Sequence, residues 1–257
     1  MTAWFLVDAF AEQPFTGNPA AVVMLGAPTD RTWMQATAAE LHQPTSAFVW
    51  PEAGAWGIRW FTPSRELPLC GHATLAAAHV LDQDEIVFRH RDGTLTARRR
   101  DQLIWLGFPA VPVTQGQAPR AALDALGLTA AAGFASNDHE YVLTLDTAAQ
   151  VEAVRPDIPQ ILRLPVGRLI VTAPGGADAD FTSRVFVPAH GLDEDHVTGS
   201  AHAVLGPLWA TRLGRARLEA VQASARRGRL ALRVGDDQVH VGGHAVTVSR
   251  GDLFLNG

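Results

Sequence analysis

Lysine is missing altogether, and each of the 21 basic residues is an arginine. That absence excludes a pyridoxal phosphate aldimine, a Schiff base with substrate and the lysine of a Walker-type phosphate loop. Cysteine is nearly missing too. A single one, Cys70, in 257 residues excludes a disulfide framework, a cysteine-rich zinc site and an iron–sulfur cluster. No apolar run approaches the ~20 residues of a membrane-spanning helix, so no membrane partner is expected. Met1–Phe10 carries Asp8 and no basic stretch, unlike a secretory signal, which points to a cytoplasmic protein. The formal charge is −5 and the arginines are scattered rather than striped, so no nucleic-acid partner is expected either.

What is present is a core. Hydrophobic residues make up 47% and charged ones 18%, enough for a folded chain of one large or two modest domains. Strand-like runs dominate: Trp4–Val7 and Ala20–Met24 around the Gly17-Asn18-Pro19 break, Ala47–Trp50, and the alternating Trp56, Ile58 and Trp60. Others are Glu85–Arg89, Thr94–Ala97, Leu103–Leu106, Tyr141–Leu145, Leu169–Thr172, Phe181–Val187, Leu230–Val234, Val239–Val241 and Val246–Val248. Helices are fewer. Asp30 reads as the N-cap of one reaching Leu41, and another follows Pro119 with Ala121, Leu123 and Leu126. Two more open on glycine, Gly71 to Leu81 and Gly199 to Leu213. In the latter, Ala201, Val204, Leu205, Leu208 and Trp209 form one apolar face, and Pro207 predicts a kink. The former is apolar nearly all round, as suits a helix wrapped by a sheet. Many strands with a few helices predict an α+β fold.

The two glycine-led helices resemble each other. Cys70-Gly71-His72-Ala73 and Thr198-Gly199-Ser200-Ala201 share one form, at an offset of 198 − 70 = 128 in a chain of 257. We read two similar lobes, each a curled, mostly antiparallel sheet around a central helix. The break falls between Pro109 and Pro119. The expected division is residues 1–113, joined by a final strand near 250–257, and residues 114–249, with the active site between the lobes.

A helix start offers free backbone N–H groups and the positive end of the helix dipole to carboxylate or enolate oxygens. The polar groups at the two starts are Cys70 and His72, and Asp195, Thr198 and Ser200. They suit proton abstraction beside a carboxylate, with amides stabilising the enediolate. Each also has a plainer reading. A lone cysteine is usually a core residue, His72 an ordinary helix residue, and Asp195 and Ser200 caps. Position favours chemistry at Cys70, because a helix start depresses a thiol pKa. Zinc is not expected: none of the ten histidines lies in an HExxH motif, and His240 and His244 flank a Gly-Gly turn.

Three stretches together carry a family resemblance. They are Asp8-Ala9-Phe10 with Phe15-Thr16-Gly17-Asn18-Pro19-Ala20-Ala21-Val22, then Phe61–Thr74, which contains Glu66-Leu67-Pro68-Leu69-Cys70-Gly71-His72-Ala73-Thr74, and Glu194–His202. In this order and spacing the chain resembles the phenazine-biosynthesis PhzF-like family, relatives of diaminopimelate epimerase, over essentially its full length. The resemblance implies a diaminopimelate epimerase-like fold. It also implies a cofactor-independent isomerase or epimerase acting on a small-molecule carboxylate or amino-acid-like substrate, and a homodimer. By position, His72, Asp195 and Ser200 match residues lining the phenazine isomerase site, and Asn18 and Gly71 lie in matching segments. Thr198 and Gly199 complete the implied binding set.

The departures sharpen the expectation. Thr45, in Pro44-Thr45-Ser46-Ala47-Phe48-Val49, stands where the resembling enzyme carries its central glutamate. Threonine is no acid or base near neutral pH, and Glu40 on the preceding helix has no evident place in the site. Cys70 falls where the similar epimerases keep one catalytic thiol, and Thr198 where they keep the other, so two-thiol epimerisation is excluded. A one-base shift or tautomerisation by Cys70 or Asp195, with His72 as acid or orienting partner, is the expectation. Two alternatives stand beside it. One is a non-catalytic binder of small acids, which Thr45 suggests. The other is a Cys70-dependent hydrolase or transferase, which helical spacing disfavours because residues two apart do not face each other.

Overall fold

The computed structural model describes residues 1–254. The chain forms two compact units, one of Met1–Gly107 together with the chain from Gly242 onward, the other Phe108–Val241. The first unit opens with strands β1 (Thr2–Ala9) and β2 (Asn18–Met24), helix α1 (Arg31–Leu41), and strands β3 (Thr45–Glu52), β4 (Ala55–Phe61) and β5 (Glu66–Leu67). Helix α2 (Gly71–Leu81) and strands β6 (Glu85–His90), β7 (Gly93–Arg100) and β8 (Leu103–Pro109) follow. The second unit contains β9 (Thr114–Gln115), α3 (Arg120–Asp124), β10 (Gly133–Ser136), β11 (Glu140–Thr144), α4 (Ala148–Ala153), α5 (Ile158–Ile161), β12 (Arg168–Pro174) and β13 (Phe181–Val187). It continues with β14 (Leu192–Asp195), α6 (Gly199–Leu213), β15 (Arg217–Gln222), β16 (Gly228–Val234) and the start of β17 (Gln238–Gly243).

The chain returns to the first unit through β18 (Ala245–Leu253), which lies antiparallel to β1 from Thr2↔Leu253 to Ala9↔Ala245. The last strand of that unit therefore starts before residue 250, because β1 needs a partner along its whole length. Residues 255–257 of the expected final strand lie outside the described residues.

The internal duplication extends to strand pairing. In the first unit β2 and β3 are parallel, β3–β4 and β4–β5 antiparallel, β4 and β6 parallel, and β6–β7 antiparallel. The second unit repeats the series as β11 with β12, β12–β13, β13–β14, β13 with β15, and β15–β16. The central helices start at Gly71 and Gly199, again 199 − 71 = 128 apart.

Composition explains each helix's place. Gly71–Ala78 is buried without a break, and α2 packs against β1, β2, β3 and β18. Helix α1 is two-faced and covers the other side of the same sheet with Met34 and Ala38, against Val23, Phe48, Trp50 and Phe61. Residues 45–50 are therefore buried on both faces, which is why Ala47–Trp50 reads as a continuous apolar run rather than an alternation. Asp30 caps α1 by accepting from Thr32 and Trp33 N–H, as its sequence predicts. Helix α3 stops at Asp124, shorter than expected, with Gly127 turning the chain at φ +65°. Helix α6 runs through Pro207. Proline cannot donate to the Ala203 carbonyl four residues back, and Val111 N–H takes that place at 3.1 Å.

Gly17 turns the chain into β2 at φ +65°, where a Cβ would lie 2.2 Å from the Ala9 carbonyl oxygen. Both the backbone conformation and the contact forbid a side chain. Gly17→Ala is expected to destabilise the fold by more than about 1 kcal/mol, visible as a lower urea midpoint at unchanged slope. A midpoint equal to wild type would show that this turn relaxes freely.

Candidate active site

Each unit places its polar residues where strand ends meet the first turn of its central helix. In the first unit Cys70 is the N-cap of α2, in extended backbone at φ −145°, ψ 110°, and its side chain makes no capping bond. The thiol is thus left for other partners. Sγ lies 3.4 Å from His72 Nδ1 and 3.6 Å from Thr45 Oγ1, and all three residues are buried. The pairing of residues two apart contradicts the helical-spacing expectation. That spacing holds inside a helix, and Cys70 stands outside it. The Cys70 carbonyl accepts from Thr74 Oγ1 at 2.6 Å, which fixes the cap.

Burial alone would push the Cys70 thiol pKa up. The charge and hydrogen bond of His72 and the hydroxyl of Thr45 together outweigh it and hold the thiol below its ordinary value. Thr45 thus stands beside the sulfur as a hydroxyl able to donate to a thiolate, not as an acid. Asn18 is buried at the first position of β2, paired with Ala9 of β1, and Gly71 is the first residue of α2. Glu40 is exposed on α1.

The second unit repeats the plan with different groups. Thr198 is the N-cap of α6, and its hydroxyl donates to Asp195 Oδ2 at 2.7 Å. Gln222, fully buried at the end of β15, locks this corner. Its Oε1 accepts from Thr198 N–H at 2.8 Å, and its Nε2 donates to the Asp195 carbonyl at 2.7 Å and to Thr198 Oγ1 at 3.2 Å. Gly199 and Ser200 are the first two helical residues, so Ser200 is not a cap. Its Oγ accepts instead from Arg168 Nη1 at 3.0 Å. His202 Nδ1 bonds the Thr198 carbonyl at 2.8 Å, the counterpart of Thr74 on Cys70.

A carbonyl only accepts, so His202 carries its proton on Nδ1, leaving a buried lone pair on Nε2 that meets no partner among the described residues. Burial, reinforced by the charge of Arg168 and partly offset by the bond to Thr198, pushes the His202 pKa down to about 4. Gln222, Arg168 and His202 had no role in the sequence reading. Among the described residues no group of three or more His, Cys, Asp or Glu side chains is placed to hold a metal. No helix there is long and apolar enough to cross a membrane.

The comparisons with known proteins agree with this repeated plan. The family model for phenazine biosynthesis-like proteins, PhzC-PhzF, matches residues 7–251. The chain belongs to that family. A Pseudomonas aeruginosa protein named an uncharacterized isomerase is 45% identical over 256 residues, covering 97% of each chain. The crystal structure of a PhzF family protein from Enterococcus faecalis superposes with a TM-score of 0.95 at 35% identity, covering 99% of each chain. A probable proline racemase from Agrobacterium radiobacter shares the fold alone, with a TM-score of 0.61 at 12% identity over 100% of this chain and 94% of that one. The PhzF-like chain is thus α+β, two similar lobes of diaminopimelate epimerase-like fold, as its sequence predicts.

Proposed function

We propose that this chain is a cofactor-independent isomerase that moves a proton on a small carboxylate or amino-acid-like substrate. The observation that carries this reading is the buried Cys70–His72 pair, 3.4 Å apart, with a thiol held below its ordinary pKa. A Cys70 thiolate would take the proton from the carbon beside the carboxylate, and the electron pair would pass into the enediolate. The proton would return to another carbon from the thiol or from His72. The sum is a rearrangement, so no oxidant, reductant or second substrate is required. Asp195 and Ser200 would position the substrate. In favour of Cys70 over Asp195 as the base, Asp195 is already engaged by Thr198. Membership of a family with isomerase-named relatives supports the same reaction class. The missing carboxylate at position 45 argues against the phenazine intermediate as substrate.

The experiment is deuterium wash-in: small amino and hydroxy acids incubated with enzyme in heavy water and read by mass spectrometry. Exchange in wild type, lost in Cys70→Ser and only slowed in Asp195→Asn, is expected. The reverse pattern would make Asp195 the base. Binding of acids without exchange would make the chain a small-acid binder. The same Cys70–His72 geometry also fits a nucleophilic thiol of a hydrolase or transferase, and a covalent adduct on Cys70 under substrate would establish that instead. A homodimer and a cytoplasmic location belong to this proposal, and a one-chain mass in sedimentation equilibrium would remove the former.

A further inference from the structure

We propose that Arg168 is the specificity-determining residue that selects an anionic substrate, by offering a two-donor edge to its carboxylate beside the Ser200 hydroxyl. The inference rests on the isomerase reading above for the identity of the ligand as a substrate, but not for the receptor itself.

The internal duplication locates the residue. Thr45 opens β3 opposite Ala20 of the parallel strand β2, and Arg168 opens β12 opposite Glu140 of the parallel strand β11. Position 45 reaches the residue capping α2, and position 168 reaches Ser200 in the first turn of α6. One structural position thus serves each helix start. It carries a hydroxyl beside a thiol in the first unit and a fixed cation in the second.

The local geometry shows what the cation can do. Glu140 faces one edge of the guanidinium: its Oε1 accepts from Nη2 at 3.2 Å, and its Oε2 lies 3.0 Å from Nε as an ion pair without hydrogen-bond geometry. The Glu140 side chain is 3% exposed and that of Arg168 19%. A pair buried this deeply gains little stability for its desolvation cost. Of the five guanidinium N–H groups, Nη2 gives one to Glu140 Oε1 and Nη1 gives one to Ser200, while Nε faces Glu140 Oε2 as an ion pair. Apart from the Nε–H turned to Glu140, one N–H on Nη1 and one on Nη2 have no hydrogen-bond acceptor among the described residues. A carboxylate that met both would accept two charge-assisted bonds. Ser200, already accepting from Nη1, has its own proton to donate in addition. Glu140 is then a positioning residue that holds the guanidinium plane, and Ser200 a third donor.

The test uses acetate and its neutral isostere acetamide as probes, titrated into nitrogen-15-labelled full-length protein while the arginine Nε–Hε resonances are followed. Removing Arg168 alone would strand the Glu140 carboxylate, so the pair is replaced together as Arg168→Met with Glu140→Leu, and Arg168→Lys is made separately. In wild type, acetate is expected to shift the Arg168 resonance, assigned by its loss in Arg168→Lys, and acetamide is not. The double variant should bind acetate at least about tenfold more weakly, and Arg168→Lys should restore only part of the loss, because an ammonium lacks the planar fork. Unchanged acetate affinity in the double variant, full restoration by lysine, or no acetate binding in wild type would each overturn the inference. Deuterium wash-in separates it from the isomerase reading. If acetate binding follows Arg168 while no acid exchanges, the reaction is wrong and the receptor stands. If acids exchange while acetate ignores Arg168, only the receptor falls.

Discussion

Cys70→Ala is expected to lower deuterium exchange by about 10²–10⁴-fold, the range that a positioned acid–base group contributes. Cys70→Ser should do the same, since an alcohol keeps the volume and loses the acidity. The pH profile makes the prediction specific to the thiolate. In the proposed reaction the base is the deprotonated sulfur, so exchange should rise with pH through a Cys70 pKa held below its ordinary value. The forces that outweigh burial come first from the His72 charge and also from Thr45. His72→Gln and Thr45→Val should therefore both move the rising limb to higher pH, the former further. Thiolate absorbance in the ultraviolet reads the same shift without any substrate. Variants whose profiles coincide with wild type would exclude a tuned Cys70 thiolate.

Much of the scaffold around that sulfur is readable in the chain. Both central helices begin and end where the sequence places them, because a glycine turn followed by an unbroken apolar run leaves few alternatives. The duplication is visible in four residues at each helix start, and the strand pairing carries it through the rest of both units. The shorter elements are less legible. Gly133–Ser136 and Leu192–Asp195 are four-residue strands whose partners, not their composition, make them strands. Arg217–Gln222 does alternate, with Leu218 and Ala220 inward, but it is short and follows α6 after only three residues. Helix α4 is marked by the Thr147–Gln150 capping box.

Site residues divide along the same line. The helix-start pattern alone places Cys70, His72 and Thr198, because their positions are local. Gln222 reaches Thr198 across 24 positions and Arg168 reaches Ser200 across 32, and neither carries a motif of its own. Arg168 reads as the polar residue before a strand. Only the register that puts it opposite Glu140 gives it a partner and a direction. The Cys70–His72 approach is also a tertiary fact, since it depends on Cys70 leaving helical backbone at the cap.

Acidification is expected to destabilise the fold by about 3 kcal/mol through His202 alone. Its ordinary pKa is 6.5 and its folded value about 4, so the unfolded chain binds a proton over a window in which the folded one refuses it. Stability then rises with pH inside that window. The His202 contribution is complete above pH 6.5, is lost as the pH falls toward about 4, and is constant below that. A difference of roughly 2.5 units at about 1.4 kcal/mol each gives ~3.5 kcal/mol in full, of which about 3 kcal/mol is lost by pH 4. His202→Asn is the matched control, because its amide can still donate to the Thr198 carbonyl but cannot titrate. Urea midpoints taken between pH 4 and 7 should converge for the two proteins as the pH falls, with the carboxylates common to both cancelling from the difference. Parallel curves would show that His202 is not held neutral. The prediction also bears on Arg168, whose charge contributes to the depression. Replacing Arg168 and Glu140 by Met and Leu should raise the His202 pKa and narrow the window, whether or not any ligand binds there.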